Sequence, residues 1–180
     1  ADEYDYRKNS IYKTYLACDA VSDEVLLRNH YRCNKEIIGF NNKKYYNSKL
    51  QIQSKSRETR PLVYVDVKSN QPQIKNTSPA EVDEVVAYAQ QNPDKSIAVI
   101  TPFVNQKTLI EQAIKENELE NLVCGTVHAF QGDEKDVVLF STALSDRTNT
   151  GTYQWLKNNK ELINVATSRA KDKLVLLADN

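Results

Sequence analysis

Three polar clusters stand out in the chain: HYRC, with Tyr31 and Arg32; AFQGDEKD, with Gln131, Gly132 and Glu134; and NVATSRAK, with Arg169. An arginine carries a permanent charge on a planar fork that matches phosphate oxygens. Glycine lets a backbone approach a ligand closely, and a glutamate accepts hydrogen bonds from ribose hydroxyls. Taken singly, each residue has a plainer reading as a surface charge or a turn. Taken together, they point to a nucleotide. No glycine-rich phosphate loop ending in Gly-Lys-Ser or Gly-Lys-Thr is present, and no apolar strand closes on a paired acid that resembles a metal-holding site. The chain alone is therefore expected to bind ATP poorly.

The elements that must position these clusters are legible from Leu62 onward. LVYVDV (62–67) is a β-branched run followed by a polar, Pro-containing loop. Ser78 and Glu81 form a capping box with Pro79 at the first helical position, and Val82, Val85, Val86 and Ala89 recur at helical spacing. IAVITP (97–102) reads as a buried strand, followed by a helix striped with Leu109, Ile110, Ala113 and Ile114. LVCGTV and DVVLFSTAL flank the AFQGDEKD loop, a helix is expected over Leu162 to Ala170, and KLVLLAD is a last strand. Unbroken apolar strands alternating with helices predict an α/β fold, a mostly parallel sheet covered on both faces. Ligands bind such sheets at the carboxyl ends of the strands, where the loop after Val127 is expected to lie. The first sixty residues differ. They predict a helix near Lys35 to Asn42 and a basic stretch with Lys43, Lys44, Lys49, Lys55, Arg57 and Arg60 around Tyr45 and Tyr46. A solvated face is the favoured reading of that stretch, over a track for a phosphate backbone.

Composition narrows the classes. The 180 residues suit one domain, with residues 1–25 read as an extension or linker from a preceding domain. Lys plus Arg and Asp plus Glu are both 24, so any nucleic-acid contact must be a local patch. Cys18, Cys33 and Cys124 have no recognised metal spacing, and His30 with Cys18 and Cys33 lacks a fourth ligand; free thiols in a reducing cytoplasm and no metal site are expected. Cys124 reads as a core residue, and Tyr153, Trp155 and Leu156 as packing residues. No run approaches membrane-spanning length, and no signal peptide is evident. The absence of Met and the start at Ala1 suggest a piece of a longer polypeptide.

The ordered segments LLRNHYRCNKEIIGFNNKKYYNSKL, IAVITPFVNQ, TVHAFQGDEKDVVLFS and NVATSRAK together resemble the second RecA-like motor domain of superfamily 1 helicases, in the branch that includes the nonsense-mediated-decay and nidoviral helicases. The resemblance runs from about Leu26 to Asp179. It implies a three-layer RecA-like, P-loop NTPase-type domain without its own phosphate loop. It also implies that ATP with Mg2+ is shared with an N-terminal RecA-like domain of the same parent, and that single-stranded DNA or RNA is the partner. By the same resemblance Tyr31 stacks on adenine, Arg32 reaches the γ-phosphate, Gln131, Gly132 and Glu134 lie against the nucleotide, and Arg169 is the arginine finger. Thr126 and His128 are implied to touch the strand backbone, and Thr101 and Gln106 its phosphates at a helix start. Asp133 and the ATSR sequence depart from the family's commoner residues, which leaves the role of the Asp133 loop less defined. A non-catalytic doubly wound module that binds nucleic acid or protein is the alternative.

Overall fold

Long apolar strands require cover on both faces, and this dictates the architecture. The computed structural model describes residues 29–31, 33–54, 58–68, 75–126, 134–145 and 148–179. In chain order these form β1 (Asn29–His30), α1 (Lys35–Tyr45), β2 (Gln51–Ile52), β3 (Leu62–Asp66), α2 (Pro79–Gln91), β4 (Ile97–Thr101), α3 (Val104–Glu116), β5 (Leu122–Thr126), β6 (Lys135–Ser141), α4 (Thr150–Asn158), α5 (Lys160–Thr167) and β7 (Ala170–Ala178). Five strands make one parallel sheet in the order β3-β7-β6-β4-β5, and β1 pairs with β2 in a small parallel ribbon.

Alternation along the central strands sorts the core into two layers. Ala98, Ile100, Val138, Phe140 and Leu174 face Ile37 and Ile38 of α1 and Ala166 of α5. Ile97, Val99, Val137, Leu139 and Val175 face Val82 and Val85 of α2 and Ile110 of α3. Each Val, Leu, Ile or Phe among these contributes roughly 1.5–3 kcal/mol by leaving water, and β4 is buried at all five positions. The expected three-layer α/β fold is present.

The helix starts are set by short polar side chains. Asn34 caps α1 by accepting from the Glu36 N–H at 3.0 Å, and Ser78 caps α2 by accepting from Glu81 at 3.3 Å. The capping box is only half formed. The Glu81 carboxylate does not turn back to Ser78; it accepts from the Ser141 hydroxyl at 2.6 Å, beyond the end of its own helix. The expected helix over Leu162 to Ala170 stops at Thr167, because Ala170 is already paired in β7. Helix α4 was not anticipated.

Register defines the two sheet edges. Thr101 pairs with Thr126, Ser141 with Leu177 and Asp66 with Ala178, so these residues mark the carboxyl edge. At the other edge Lys135 pairs with Ala170, two residues ahead of Val137, which pairs with Ile97 at the start of β4. The beginnings of β6 and β7 thus overhang the amino edge.

Candidate nucleotide cleft and strand edge

The turn from β1 into α1 is fastened to the start of β7. The His30 ring accepts from the Cys33 N–H at 3.1 Å, the buried Cys33 thiol donates to the Ser168 carbonyl at 3.1 Å, and the Asn34 N–H donates to the Lys171 carbonyl at 2.8 Å. These bonds straddle Arg169. On the opposite side the Lys135 N–H donates to the Arg169 carbonyl at 3.1 Å, which brings Glu134 alongside. Tyr31, Tyr46, Glu134, Ser168 and Arg169 consequently line one cleft of about 650 Å³.

Within this cleft the Tyr31 ring is 65% exposed, a flat aromatic face turned to solvent. Arg169 is half-buried in the turn between α5 and β7 rather than on a helix, and its buried Nε has no hydrogen-bond partner among the described residues. A buried donor left unpaired costs roughly 1–3 kcal/mol. An anion in the cleft would relieve that cost. The turn itself is held rigidly: the buried Thr167 and Asn41 side chains bond at 2.8 Å, and the Ser168 hydroxyl donates to the Val165 carbonyl at 2.9 Å. A tyrosine ring, a carboxylate and an underused guanidinium fit a nucleotide's base, sugar and phosphates.

The location corrects one expectation. Glu134 and Arg169 precede β6 and β7, so this cleft lies at the amino edge of the sheet, not the carboxyl edge. The rule of carboxyl ends governs loops that leave strands, whereas these residues enter them. Thr126, half-buried, does close β5 at the carboxyl edge. The sequence reading missed Tyr46 and Ser168 as cleft residues, and Tyr46 is further fixed by the Asn164 amide, which donates to its hydroxyl at 3.3 Å. Arg32, His128, Gln131 and Gly132 lie outside the described residues. Asp136, from the same polar loop, is structural: it accepts from the Ser96 N–H and hydroxyl at 3.0 and 2.7 Å, and these bonds hold its carboxyl below the usual range.

A second correction concerns Thr101 and Gln106. Both are fully buried. The Thr101 hydroxyl accepts from Phe103 at 3.4 Å. The Gln106 amide accepts from the Ser78 N–H at 2.7 Å and donates to the Ser78 carbonyl at 3.2 Å and the Ser141 hydroxyl at 3.0 Å. Gln106 thus bolts the starts of α2 and α3 to the exit of β6, and its side chain has no surface to offer a phosphate. What the segment does present is the first turn of α3, which has Phe103 at its cap and no side-chain cap bond. The Gln106 relay ends on Glu81, whose carboxylate also accepts from the Ala143 N–H at 3.0 Å. Burial pushes the Glu81 carboxyl up to about 7, against the hydrogen bonds from Ser141 and Ala143.

The other thiol among the described residues, Cys124, is pushed up to about 12 by burial and stays protonated. No group of three or more metal-ligating side chains is present among the described residues, and no described helix is long and apolar enough to cross a membrane.

Comparison with known proteins agrees with this fold. An AAA domain family model matches residues 8–180. The chain is 26% identical to the RNA helicase Mov10l1 of Mus musculus over 194 residues, covering 91% of this chain and 16% of that protein. It is 27% identical to the ATP-dependent helicase MG140 of Mycoplasma genitalium over 177 residues, covering 86% of this chain and 16% of the relative. The chain therefore spans about a sixth of the length of either. Its fold is that of the C-terminal domain of a "possible DNA helicase" from Lactobacillus plantarum WCFS1, with a TM-score of 0.53, 19% identity, and coverage of 83% of this chain and 87% of that one. The chain belongs to the AAA domain family and is a RecA-like helicase domain.

Proposed function

We propose that the chain is the C-terminal motor domain of an ATP-dependent helicase or translocase that acts on single-stranded nucleic acid. The observation that carries this reading is the amino-edge cleft, in which Tyr31, Glu134 and the unpaired Arg169 Nε meet. Bound between this cleft and a phosphate-loop domain, ATP with Mg2+ supplies a terminal phosphoryl group for transfer to water. Tyr31 offers its ring to the base and Glu134 its carboxylate to the sugar, and the resemblance assigns Gln131 and Gly132 to the same nucleotide. Arg169 and Arg32 set positive charge against the transferred phosphoryl. An arginine in that role is worth about 10³–10⁵ in rate, or roughly 4–7 kcal/mol of barrier. The contribution vanishes when the two domains part, so closure and opening alternate with hydrolysis. Thr126 and the uncapped first turn of α3 meet strand phosphates at the carboxyl edge, a contact to which the resemblance also assigns His128 and which carries little sequence information.

The test is reconstitution. The 180-residue chain alone should show negligible ATP turnover, and the chain joined to the phosphate-loop domain of its parent should show turnover stimulated by single strands. Appreciable hydrolysis by the pure chain, or an active parent from which this domain can be deleted without loss, would remove the split-site reading.

A further inference from the structure

The single tryptophan of the chain was expected to be a packing residue. It is not enclosed. Trp155 is 44% exposed on α4, and beneath it Phe103 is almost fully buried, the two ring centroids 6.2 Å apart and tilted by 38°. Beside the indole opens a cleft of about 450 Å³, with Asn76, Val104, Asn105 and Thr152 around it. The Asn105 amide donates to the Lys75 carbonyl at 3.0 Å, which holds that part of the rim in place. Every element of the cleft follows the carboxyl end of a strand: Asn76 comes after β3, Phe103 to Asn105 after β4, and Thr152 and Trp155 after β6.

We infer that Trp155, backed by Phe103, is a stacking platform for one base of a single-stranded nucleic acid passing along the carboxyl edge. This rests on the reading of the chain as a strand-handling motor domain. Three observations favour a base as the occupant. An exposed indole supported from below presents a rigid π-face, the surface on which unpaired bases stack whatever their identity. Amides and a hydroxyl border it, groups that hydrogen-bond base edges and sugar. Charge is the third. Among the described residues no carboxylate lines this cleft, so none of them repels a polyanion, whereas the groove between α2 and α3 carries Asp83 and Glu116. The cleft also takes in Pro102 and Phe103 directly after β4, and β4 is the sheet neighbour of β5, which Thr126 closes.

Because the chain has one tryptophan, its fluorescence reports on this position alone. The unsubstituted chain is titrated with oligo(dT), oligo(U), an abasic strand of equal length and a duplex, while fluorescence anisotropy of labelled strands reads binding independently. The expected result is quenching of the indole by both base-bearing single strands but not by the abasic strand or the duplex. Trp155→Ala should weaken single-strand affinity about 5- to 150-fold, the range for removing one base–aromatic stack, and Trp155→Phe should retain most of it. Circular dichroism verifies the fold of both variants, and quenching of the unsubstituted chain decides the matter if Trp155→Ala does not fold. Strand binding without quenching, equal quenching by the abasic strand, or undiminished binding by a folded Trp155→Ala chain would overturn the platform while leaving strand handling intact. Failure of every strand to bind would overturn both readings.

Discussion

The Cys33 thiol donates to the Ser168 carbonyl across 3.1 Å, a bond between residues 135 positions apart in sequence. Its consequence is geometric: it brings the exposed Tyr31, two residues before Cys33, into one cleft with Arg169, the residue that follows Ser168. The cleft is therefore not an accident of loop placement. It is built from two turns fastened to the same overhanging strand starts, with Cys33 fully buried beneath them.

Arg169 tests the cleft most directly. Its Nε is buried and unpaired, so the fold gains nothing from that hydrogen-bonding group. In the complete parent enzyme, Arg169→Ala should lower strand-stimulated kcat by about 10³–10⁵ while the thermal midpoint changes little. Arg169→Lys should rescue poorly, because an ammonium lacks the planar fork. Normal single-turnover hydrolysis by either variant would remove the finger assignment.

Glu81 makes stability fall with pH in an unusual window. Its carboxyl ionises near 4.5 in the unfolded chain and near 7 in the fold, with burial as the main cause and Asp179 adding to it. A raised folded value means that the stabilisation is complete below about pH 4.5 and is lost as pH climbs to about 7. Each pK unit is worth about 1.4 kcal/mol, so the loss approaches roughly 3 kcal/mol. For a chain of this size that is a fall in thermal midpoint of roughly 6–12 °C between pH 5 and 8. Lys68 pairs with Asp179 at 3.3 Å and moderates its influence. Glu81→Gln separates these contributions: melting curves of that variant should be nearly flat across the window, and an unchanged slope would show that Glu81 is not the source.

Gln106 distinguishes a structural bolt from a strand contact. Gln106→Ala strands the buried Ser78 N–H and removes a partner from the Ser141 hydroxyl. Urea unfolding should then report a loss of about 2–4 kcal/mol, given roughly 1–3 kcal/mol for each orphaned buried group. A surface contact to phosphate would behave in the opposite way, with stability unchanged and strand affinity reduced.

Legibility from sequence follows the same physics. The runs IAVIT and KDVVLFS could be read as buried parallel strands because cover on both faces demands unbroken apolar character, and α2 announced itself through Ser78, Pro79 and its valine spacing. The two-residue strands at Asn29 and Gln51 are too short to leave a period, and α4, TGTYQWLKN, is a nine-residue helix that buries Leu156 alone. Edges were harder than elements. Whether Glu134 sits at the amino or carboxyl side depends on which of its neighbouring strands it adjoins, and pairing register alone resolves that. Gln106 and Glu81 misled for a common reason. A polar side chain at a helix start usually serves its own first turn or a ligand, and only tertiary packing reveals that these two meet across Ser141.

Tyr31 should affect nucleotide affinity without affecting the fold. At 65% exposure its ring rests on little of the protein, so truncation removes almost no packing. Base stacking on an aromatic ring is worth roughly 1–3 kcal/mol, so in the parent enzyme Tyr31→Ala should raise the KM for ATP about 5- to 150-fold with kcat far less affected. Tyr31→Phe should be close to normal, because the π-face does the stacking and the hydroxyl adds little. The same argument makes the site tolerant of the base: ATP and GTP should suffer alike in Tyr31→Ala, since every base has a face to stack. A KM unchanged in Tyr31→Ala, or a loss confined to one nucleotide, would place the base elsewhere in the cleft.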